Sequence, residues 1–452
     1  MKIKITDKLL LIFFETEDEE KAVKKHFTKE DKSNVFMGGT YDFRKIKKKC
    51  FLHSKKVKKI QFYYLNSGYI KELLTFVRGR YKITKLDDKR TKFKHNLMQF
   101  KDDDFKKVLP NFDYVDHQVD SLKRMMKTNV GVIEAPTSSG KSETIIAFLK
   151  ISRLPTLILV DKVSLALQLK ERIEKNGIKN VGLCYGKGVM DGDVMVSTIG
   201  SVMKVPSLRK YKVLVIDEVH RASAKRFQDF LSNTSYPIRF GFSATPNSGN
   251  DYKWNLIKQY MGDIIYTIAP EPLMENKVLA KPHIEFIPVE SIATLDWPTA
   301  SYNCIVTNEL RNKKIRTLVD EHNVPTLILI RLIEHGEMLN EMIPGSVFVS
   351  GIDDATVRQG IINDFEAGKI QTVISSNIFN EGISINAIRL LIIASGGKSK
   401  IETIQKLGRG LRVTEGKDTV HVVDFDDYGN KFTERHSKLR KAIYAKAGFE
   451  VE

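Results

Sequence analysis

The stretch that decides the reading of this chain is residues 130–142, V-G-V-I-E-A-P-T-S-S-G-K-S. Val130, Val132 and Ile133 read as a short buried strand. Pro136, Thr137, Ser138, Ser139 and Gly140 break it, and Ile145, Ile146 and Leu149 resume at helical spacing. Strand, small-residue loop and helix in that order form the context a phosphate-binding loop requires. The loop's backbone N–H groups and the helix N-terminus offer partial positive charge to a polyphosphate. Lys141 is expected to reach the β- and γ-phosphates and the Ser142 hydroxyl to ligate Mg2+, so ATP and Mg2+ are the expected ligands. Ala135 stands where the usual pattern has its first glycine.

Downstream, strand and helix patterns alternate, which predicts an α/β fold with a doubly wound parallel sheet. Strands are expected at 155–160, 194–197, 213–216 and 238–242. The third of these runs into Asp217 and Glu218. An apolar strand ending in two acids suits metal binding by Asp217 and polarisation of an attacking water by Glu218. The second half repeats the theme without a phosphate loop, with strands expected at 283–288, 326–330, 347–350, 371–375 and 389–394. Near its end lies Q-K-L-G-R-G-L-R, residues 405–412. A phosphate loop in one domain and Arg409 and Arg412 in another make a site that is complete only on domain closure. The arginines then stabilise charge on the transferring γ-phosphoryl group.

A length of 452 residues suggests about three domains. The expected division is a basic α+β domain at 1–100, a first α/β domain at 106–275 and a second at 280–452, with a polar linker at 86–105. Residues 1–100 hold 26 Lys+Arg against 12 Asp+Glu, so +14 of the net +18 sits there. That imbalance is an electrostatic footprint for a polyanion. Lys47, Lys48, Lys55 and Lys56 are the candidate phosphate contacts. Phe43, Phe51, Phe62, Tyr63 and Tyr64 flank them and suit either base stacking or ordinary core packing. Within this domain a capping box at Thr16 and Glu19 starts a helix, and Ile70, Leu73, Leu74 and Val77 mark a second. Strands are expected at 9–14, 49–53 and 59–65. The longest apolar run, 9–14, is too short to span a bilayer or to act as a signal segment. Three scattered cysteines, Cys50, Cys184 and Cys304, form no disulfide framework, which points to a reducing compartment.

Taken in order, these motifs resemble those of the superfamily 2 helicases. Gln118 matches the adenine-reading Q motif, and residues 135–142 match motif I. Leu165, Ala166, Leu167 and Gln168 with Asp161 resemble motif Ia, although Asp161 and Lys162 replace the common Pro-Thr. D-E-V-H at 217–220 matches motif II and S-A-T at 243–245 motif III. Residues 331–339 follow as in motif IV, 380–384 resemble motif V, and 405–412 match motif VI. The resemblance implies two tandem RecA-like domains with a small basic α+β domain in front, and an ATP-dependent helicase. It further implies nucleotide contacts from Gly382, and sequence-independent nucleic-acid contacts from Lys162, Thr198, Ser201, Ser350 and Gly351.

D-E-V-H argues against the D-E-A-D RNA helicase pattern. Arg311 and Asn312 at a helix start, a compact two-lobed core and the basic N-terminal domain resemble the XPB and RecG-like group. Within it the likeness is to the UvsW-type recombination helicases of tailed phages, which implies branched DNA as partner and branch migration as activity. Localisation would be cytoplasmic, in the host if the chain is phage-encoded, and no membrane is expected. A duplex translocase of the restriction-motor kind and an RNA helicase share the motifs. A small-molecule kinase would have no use for Arg409 and Arg412, and a relic binder would not keep every catalytic group. Trp254, Trp297 and Pro298, in the stretch between the lobes, suit a core segment better than a strand-separating wedge.

Overall fold

The computed structural model describes residues 1–31, 36–37, 40–41, 47–57, 60–91, 108, 116–136, 139–186, 188–247, 250–269, 273–274, 280–376, 387–397, 419–446 and 448–451. Contacts divide the chain into two units. One is Met1–Ala135 with Gly140–Ile268, the other Pro136–Ser139 with Ala269–Glu452.

The first unit opens with a five-stranded sheet in the order His53–Val57, Ile60–Asn66, Leu9–Phe13, Lys2–Ile5, Lys85–Asp88. Ile3, Ile5, Leu10 and Ile12 alternate inward, as period-two strands with one covered face must. The helices Glu17–His26 and Ile70–Val77 contribute Val23, Leu73 and Val77 to the same core. Half of the expected capping box forms: Thr16 Oγ1 accepts the Glu19 N–H at 3.3 Å, whereas Glu19 Oε2 accepts from the N–H of Glu15, one residue before the cap, at 2.8 Å. Two expectations change. The strand expected at 49–53 is split into Lys47–Cys50 and His53–Val57, because Phe51 and Leu52 turn inward and are buried. Lys85–Asp88, expected to begin the linker, is a strand paired in parallel with Lys2–Ile5.

This small sheet is welded to the next layer. The helix Asp251–Met261 sends Leu256 into its core. Gly68 packs directly on that helix, and a Cβ there would lie 2.0 Å from the Lys258 carbonyl oxygen. Asn66 Nδ2 donates to Gln259 Oε1 at 2.8 Å, and the Tyr69 hydroxyl to the Asn255 carbonyl at 3.0 Å. Arg239, 6% exposed, donates to the carbonyls of Asp7 (2.8 Å), Tyr236 (2.6 Å) and Tyr260 (2.7 Å), and to Ser67 Oγ (2.9 Å). Burial pulls its guanidinium down to about 10.

The second sheet has eight strands, ordered Gly188–Met190, Val181–Tyr185, Val194–Thr198, Thr156–Val160, Val213–Asp217, Ile238–Ser243, Val130–Glu134, Ile264–Thr267. All neighbours are parallel except the Gly188–Met190 hairpin partner. Five of these strands match expectation. Val181–Tyr185, Gly188–Met190 and Ile264–Thr267 complete the sheet unforeseen. Trp254 packs against this core from the Asp251–Met261 helix.

The second unit holds a six-stranded, all-parallel sheet in the order Lys281–Glu290, Thr419–Tyr428, Leu390–Ile393, Thr326–Leu329, Thr372–Ser375, Ser346–Val349. Its five expected strands form. Thr419–Tyr428, paired along ten residues with Lys281–Glu290, is the one unforeseen. Trp297 rests on the His436 ring at 4.1 Å, which is ordinary packing. Among the described residues no helix is long and apolar enough to cross a membrane.

Candidate active site

The strand Val130–Glu134 delivers the chain to the phosphate loop, and Ala135 N–H donates to the Ser243 carbonyl at 2.9 Å. Ser139 closes the loop on itself, its N–H and hydroxyl both donating to the Pro136 carbonyl at 3.3 and 2.8 Å. Gly140 has φ +81, and a Cβ there would lie 2.0 Å from Gln118 Nε2. The backbone conformation favours glycine, and any larger residue would also have to displace the Gln118 amide. The helix Lys141–Ser152 follows with no side chain capping its N-terminus. Lys141 and Ser142 occupy its first two positions. Thr137 and Ser138 lie outside the described residues.

Gln118, on the helix Asp116–Thr128, is 1% exposed and donates to the Gly140 carbonyl at 3.3 Å. It braces the loop from behind.

Asp217 ends the strand Val213–Asp217, and Glu218 follows in the left-handed region at φ 54, ψ 52. A non-glycine residue held there stores strain, a feature that clusters at functional sites. The consequence is geometric: the strand stops and the Glu218 side chain turns toward the loop. Lys141 Nζ lies 3.4 Å from Glu218 Oε1, and His220 Nδ1 lies 3.3 Å from Oε2. His220 Nδ1 also meets Ser243 Oγ at 2.9 Å, and Ser243 Oγ accepts the Thr245 N–H at 3.1 Å. Motifs I, II and III are thus joined by one run of contacts. Arg221 adds a second link, to Asp161 Oδ2 at 3.1 Å, so the acid that departs from the usual motif Ia has a partner. Sequence reading noted His220 and Ser243 as motif letters without assigning them this bridge, and it missed Arg221.

Burial and the neighbouring Glu218 charge push the Asp217 carboxyl up to about 6. Burial pushes Glu218 up as well, but Lys141 and His220 outweigh it and hold the carboxyl well below its ordinary value. Two carboxylates face one lysine, which leaves excess negative charge, and the hydroxyl of Ser142 with the Asp217 carboxylate is a donor set of the kind a divalent cation takes.

The nucleic-acid candidates are less uniform. Thr198 ends the strand Val194–Thr198 and Ser201 follows three residues on, both buried, and the Ser201 N–H donates to the Thr198 carbonyl at 3.0 Å. Between them Gly200 is exposed, with open space where a Cβ would stand. Lys162 immediately precedes the helix Val163–Lys175. Ser350 and Gly351 follow the strand Ser346–Val349, where Asp353 Oδ2 accepts the Ser350 N–H at 2.6 Å. Lys47, Lys48, Lys55 and Lys56 are all exposed, and Lys48 pairs with Glu30 at 3.3 Å. Phe51 is fully buried against Tyr69, so it belongs to the core and cannot stack on a base. Phe43, Gly382, Arg409 and Arg412 lie outside the described residues.

Two family models match the chain, one described as the type III restriction enzyme res subunit over residues 105–248 and one as the helicase conserved C-terminal domain over 310–414. The chain belongs to the superfamily 2 helicases. As such it is an ATP-dependent helicase by family. The DNA 3'-5' translocase XPB2 of Sulfurisphaera tokodaii is 24% identical over 66% of this chain and 78% of its own length. The ATP-dependent DNA helicase uvsW of Enterobacteria phage T4 is 26% identical over 69% of this chain and 68% of its own. Against two further helicase relatives the chain spans 64% and 51% of their lengths. Among solved structures, Saccharomyces cerevisiae Dbp5 bound to RNA and ADP BeF3 has a TM-score of 0.55 at 16% identity. That match covers 77% of this helicase and 91% of the other chain, a likeness of fold.

Proposed function

We propose that this helicase is a DNA motor that remodels branched DNA: branch migration, fork regression and unwinding of D-loops or Holliday junctions. The observation that carries this reading is the attachment of the basic N-terminal sheet to the first motor sheet through buried contacts at Gly68, Asn66, Tyr69 and Arg239. A basic module fixed in this way can hold duplex arms by their phosphates while the motor advances. DNA stands in the names of two of the relatives reported above, XPB2 and uvsW, which supports DNA as the track. We take the working division to be 1–100, 106–275 and 280–452, and the setting to be cytoplasmic, that of the host if a phage encodes the chain.

In the proposed cycle Lys141 neutralises the β- and γ-phosphates while Gln118 and Gly140 keep the loop in shape. Lys141 is shared, in the structure, with Glu218. Drawing Lys141 onto phosphate would release Glu218 to orient the attacking water. His220 and Ser243 then carry the change at Glu218 to Thr245. Ser142 and Asp217 would hold Mg2+, which supplies charge compensation on the phosphate oxygens. Arg409 and Arg412 are proposed to stabilise the transferring γ-phosphoryl group, and Gly382 to contact nucleotide. Thr198, Ser201, Lys162, Ser350 and Gly351 are the proposed contacts to the tracked strand, so stepping should be independent of sequence.

The family model over residues 105–248 favours one second reading, a duplex translocase that does not unwind. ATP hydrolysis measured at matched salt without nucleic acid, and with single-stranded DNA, duplex, RNA or a four-way junction, separates the two. Strongest stimulation by the junction supports branch remodelling. Equal or greater stimulation by plain duplex promotes the translocase, and strongest stimulation by RNA sinks both.

A further inference from the structure

A cavity of about 350 Å³ lies within the first unit, on the seam between the N-terminal sheet and the eight-stranded sheet. Val130, Arg239 and Ile264 line one side of it, at or near the starts of three neighbouring parallel strands. Those strands approach the phosphate loop at their other ends, where the Ala135 N–H meets the Ser243 carbonyl. The other side is the N-terminal module, through Asp7, Ser67 and Arg90. The cavity is therefore at the far end of the sheet from the ATP site, and nothing in the hydrolytic cycle uses it.

Its charges do not balance. Four cations line it, Lys71, Arg90, Arg124 and Arg239, against two acids, Asp7 and Asp263. Both acids are already engaged. Asp263 pairs with Lys258 at 2.7 Å, and Asp7 accepts the Thr91 N–H at 2.8 Å. Arg90 is held by Asp88 at 2.6 Å. Lys71, Arg124 and Arg239 enter no ion pair among the described residues. Arg239 is the buried member of the three, and a guanidinium has five N–H groups to satisfy. Four of them donate, to the carbonyls of Asp7, Tyr236 and Tyr260 and to Ser67 Oγ. The fifth, on Nη2, has no acceptor among the described residues, and a buried donor left unpaired is costly. The helix Ile70–Val77 also starts at the cavity wall, with no side chain capping its N-terminus, which adds partial positive charge.

We propose that this cavity binds a phosphate monoester, at a site separate from the ATP site. Such a group carries close to two negative charges at neutral pH and presents three strong acceptor oxygens. It therefore answers several unpaired cations and the spare Arg239 N–H together, which a carboxylate, with one charge and two oxygens, does less well. The volume is at the lower end of the range for small-ligand pockets, so the occupant is no larger than about a mononucleotide. The same chemistry reaches the cavity from two sources, a free phosphate or mononucleotide, or the 5′-phosphate at the end of a DNA strand. Neither source depends on the DNA being branched.

Titration calorimetry tests the free source, with inorganic phosphate and thymidine monophosphate as probes. The full chain carries Lys141→Ala for this purpose, which takes the phosphate loop's own lysine out of the competition. One site per chain is expected. Arg124→Gln or Lys71→Gln should each weaken it by about tenfold, the worth of one charge-assisted hydrogen bond. Both side chains are exposed, so the melting temperature should hold. Fluorescence anisotropy of a labelled duplex, with and without a 5′-phosphate, tests the strand-end source. There the 5′-phosphate should tighten binding, and the gain should vanish in both variants. Either result supports the proposal and says which source fills the cavity. Probe binding that neither substitution changes overturns it. So does a loss of duplex affinity that is the same with and without the 5′-phosphate, when neither free probe binds. No heat from either probe, together with no gain from the 5′-phosphate, overturns it as well.

Discussion

Neutralising the four lysines proposed to hold DNA tests the basic domain without dismantling it. Excising residues 1–100 would be the wrong perturbation. It would strip Asp7, Asn66, Ser67 and Tyr69 from Arg239, Gln259 and Asn255, and uncover Leu256 on the motor domain. Lys47, Lys48, Lys55 and Lys56 are exposed, so changing each to Gln should leave the fold alone. The magnitude follows from strand geometry. Lys47 and Lys48 are consecutive on one strand and Lys55 and Lys56 on another, and consecutive strand residues point to opposite faces. A DNA backbone lying along one face meets one lysine of each pair, about two phosphates. At roughly 0.9 per phosphate, the slope of log affinity against log salt should flatten by about 1.8, and the parent's extra loss of affinity from about 50 to 200 mM salt is then about tenfold. Lys48 must first leave Glu30, 3.3 Å away, which trims its share. Fluorescence anisotropy of a labelled four-way junction at five salt concentrations measures the slope. A slope unchanged within about 0.5 would place the DNA contacts elsewhere. One flattened by about 3.6 would mean that both faces are engaged.

Lys141→Ala should abolish ATP turnover while junction affinity stays within about twofold, since the motor's lysine and the basic sheet act on different phosphates; retained turnover would refute the phosphate-loop assignment. Asp217, pushed up to about 6 by burial and by Glu218, must be ionised to hold metal, so Mg2+ affinity measured by titration calorimetry should weaken as pH falls through about 6. A flat profile between pH 5 and 7 would count against that role. The same shift has a stability side. A raised carboxyl stabilises the folded state at acid pH, and that contribution is lost as pH rises through about 6. Asp217→Asn, free of this loss, should therefore gain on the parent in urea unfolding from pH 5 to pH 7. Glu218 runs the opposite way, its contribution disappearing as pH falls below its ordinary 4.5. Arg239→Met should destabilise the first unit by about 2–4 kcal/mol, because three carbonyls and a hydroxyl lose their donor while only the desolvation of one guanidinium is recovered. A loss under about 1 kcal/mol by chemical denaturation would contradict that accounting.

What could be read from the sequence was what is local. Residues 130–142 announce strand, loop and helix within thirteen letters, and Asp217 with Glu218 mark a strand end by contrast with the apolar run before them. The left-handed backbone of Glu218 has no such signal, because it follows from the turn the two acids must make toward Lys141. Val181–Tyr185 carries a glycine and a cysteine in its short apolar run, and three of the four residues of Lys85–Asp88 are charged, so neither reads as a strand until a neighbour covers it. Arg311 drew notice at a helix start, but its partner lies 116 residues on, and nothing periodic connects the two. Asn66 and Gln259 are 193 apart. Buried polar pairing depends on the finished fold, and it is where sequence reading ran out.

Those long-range polar contacts also bear on how grip and hydrolysis communicate. The strand Ile238–Ser243 has Arg239 near its start and Ser243 at its end. At the first position the N-terminal module holds the strand through Asp7 and Ser67. At the other, Ser243 meets His220, which faces Glu218. At about 3.3 Å per residue those two positions are separated by little more than a dozen ångströms of fully buried strand. A flexible tether between a DNA clamp and a motor would let either move without the other. A single buried strand, hydrogen-bonded at one end to the basic module and at the other to the neighbour of Glu218, couples the two positions. If the basic module grips DNA as proposed, load on it would be passed to the strand that ends beside Glu218.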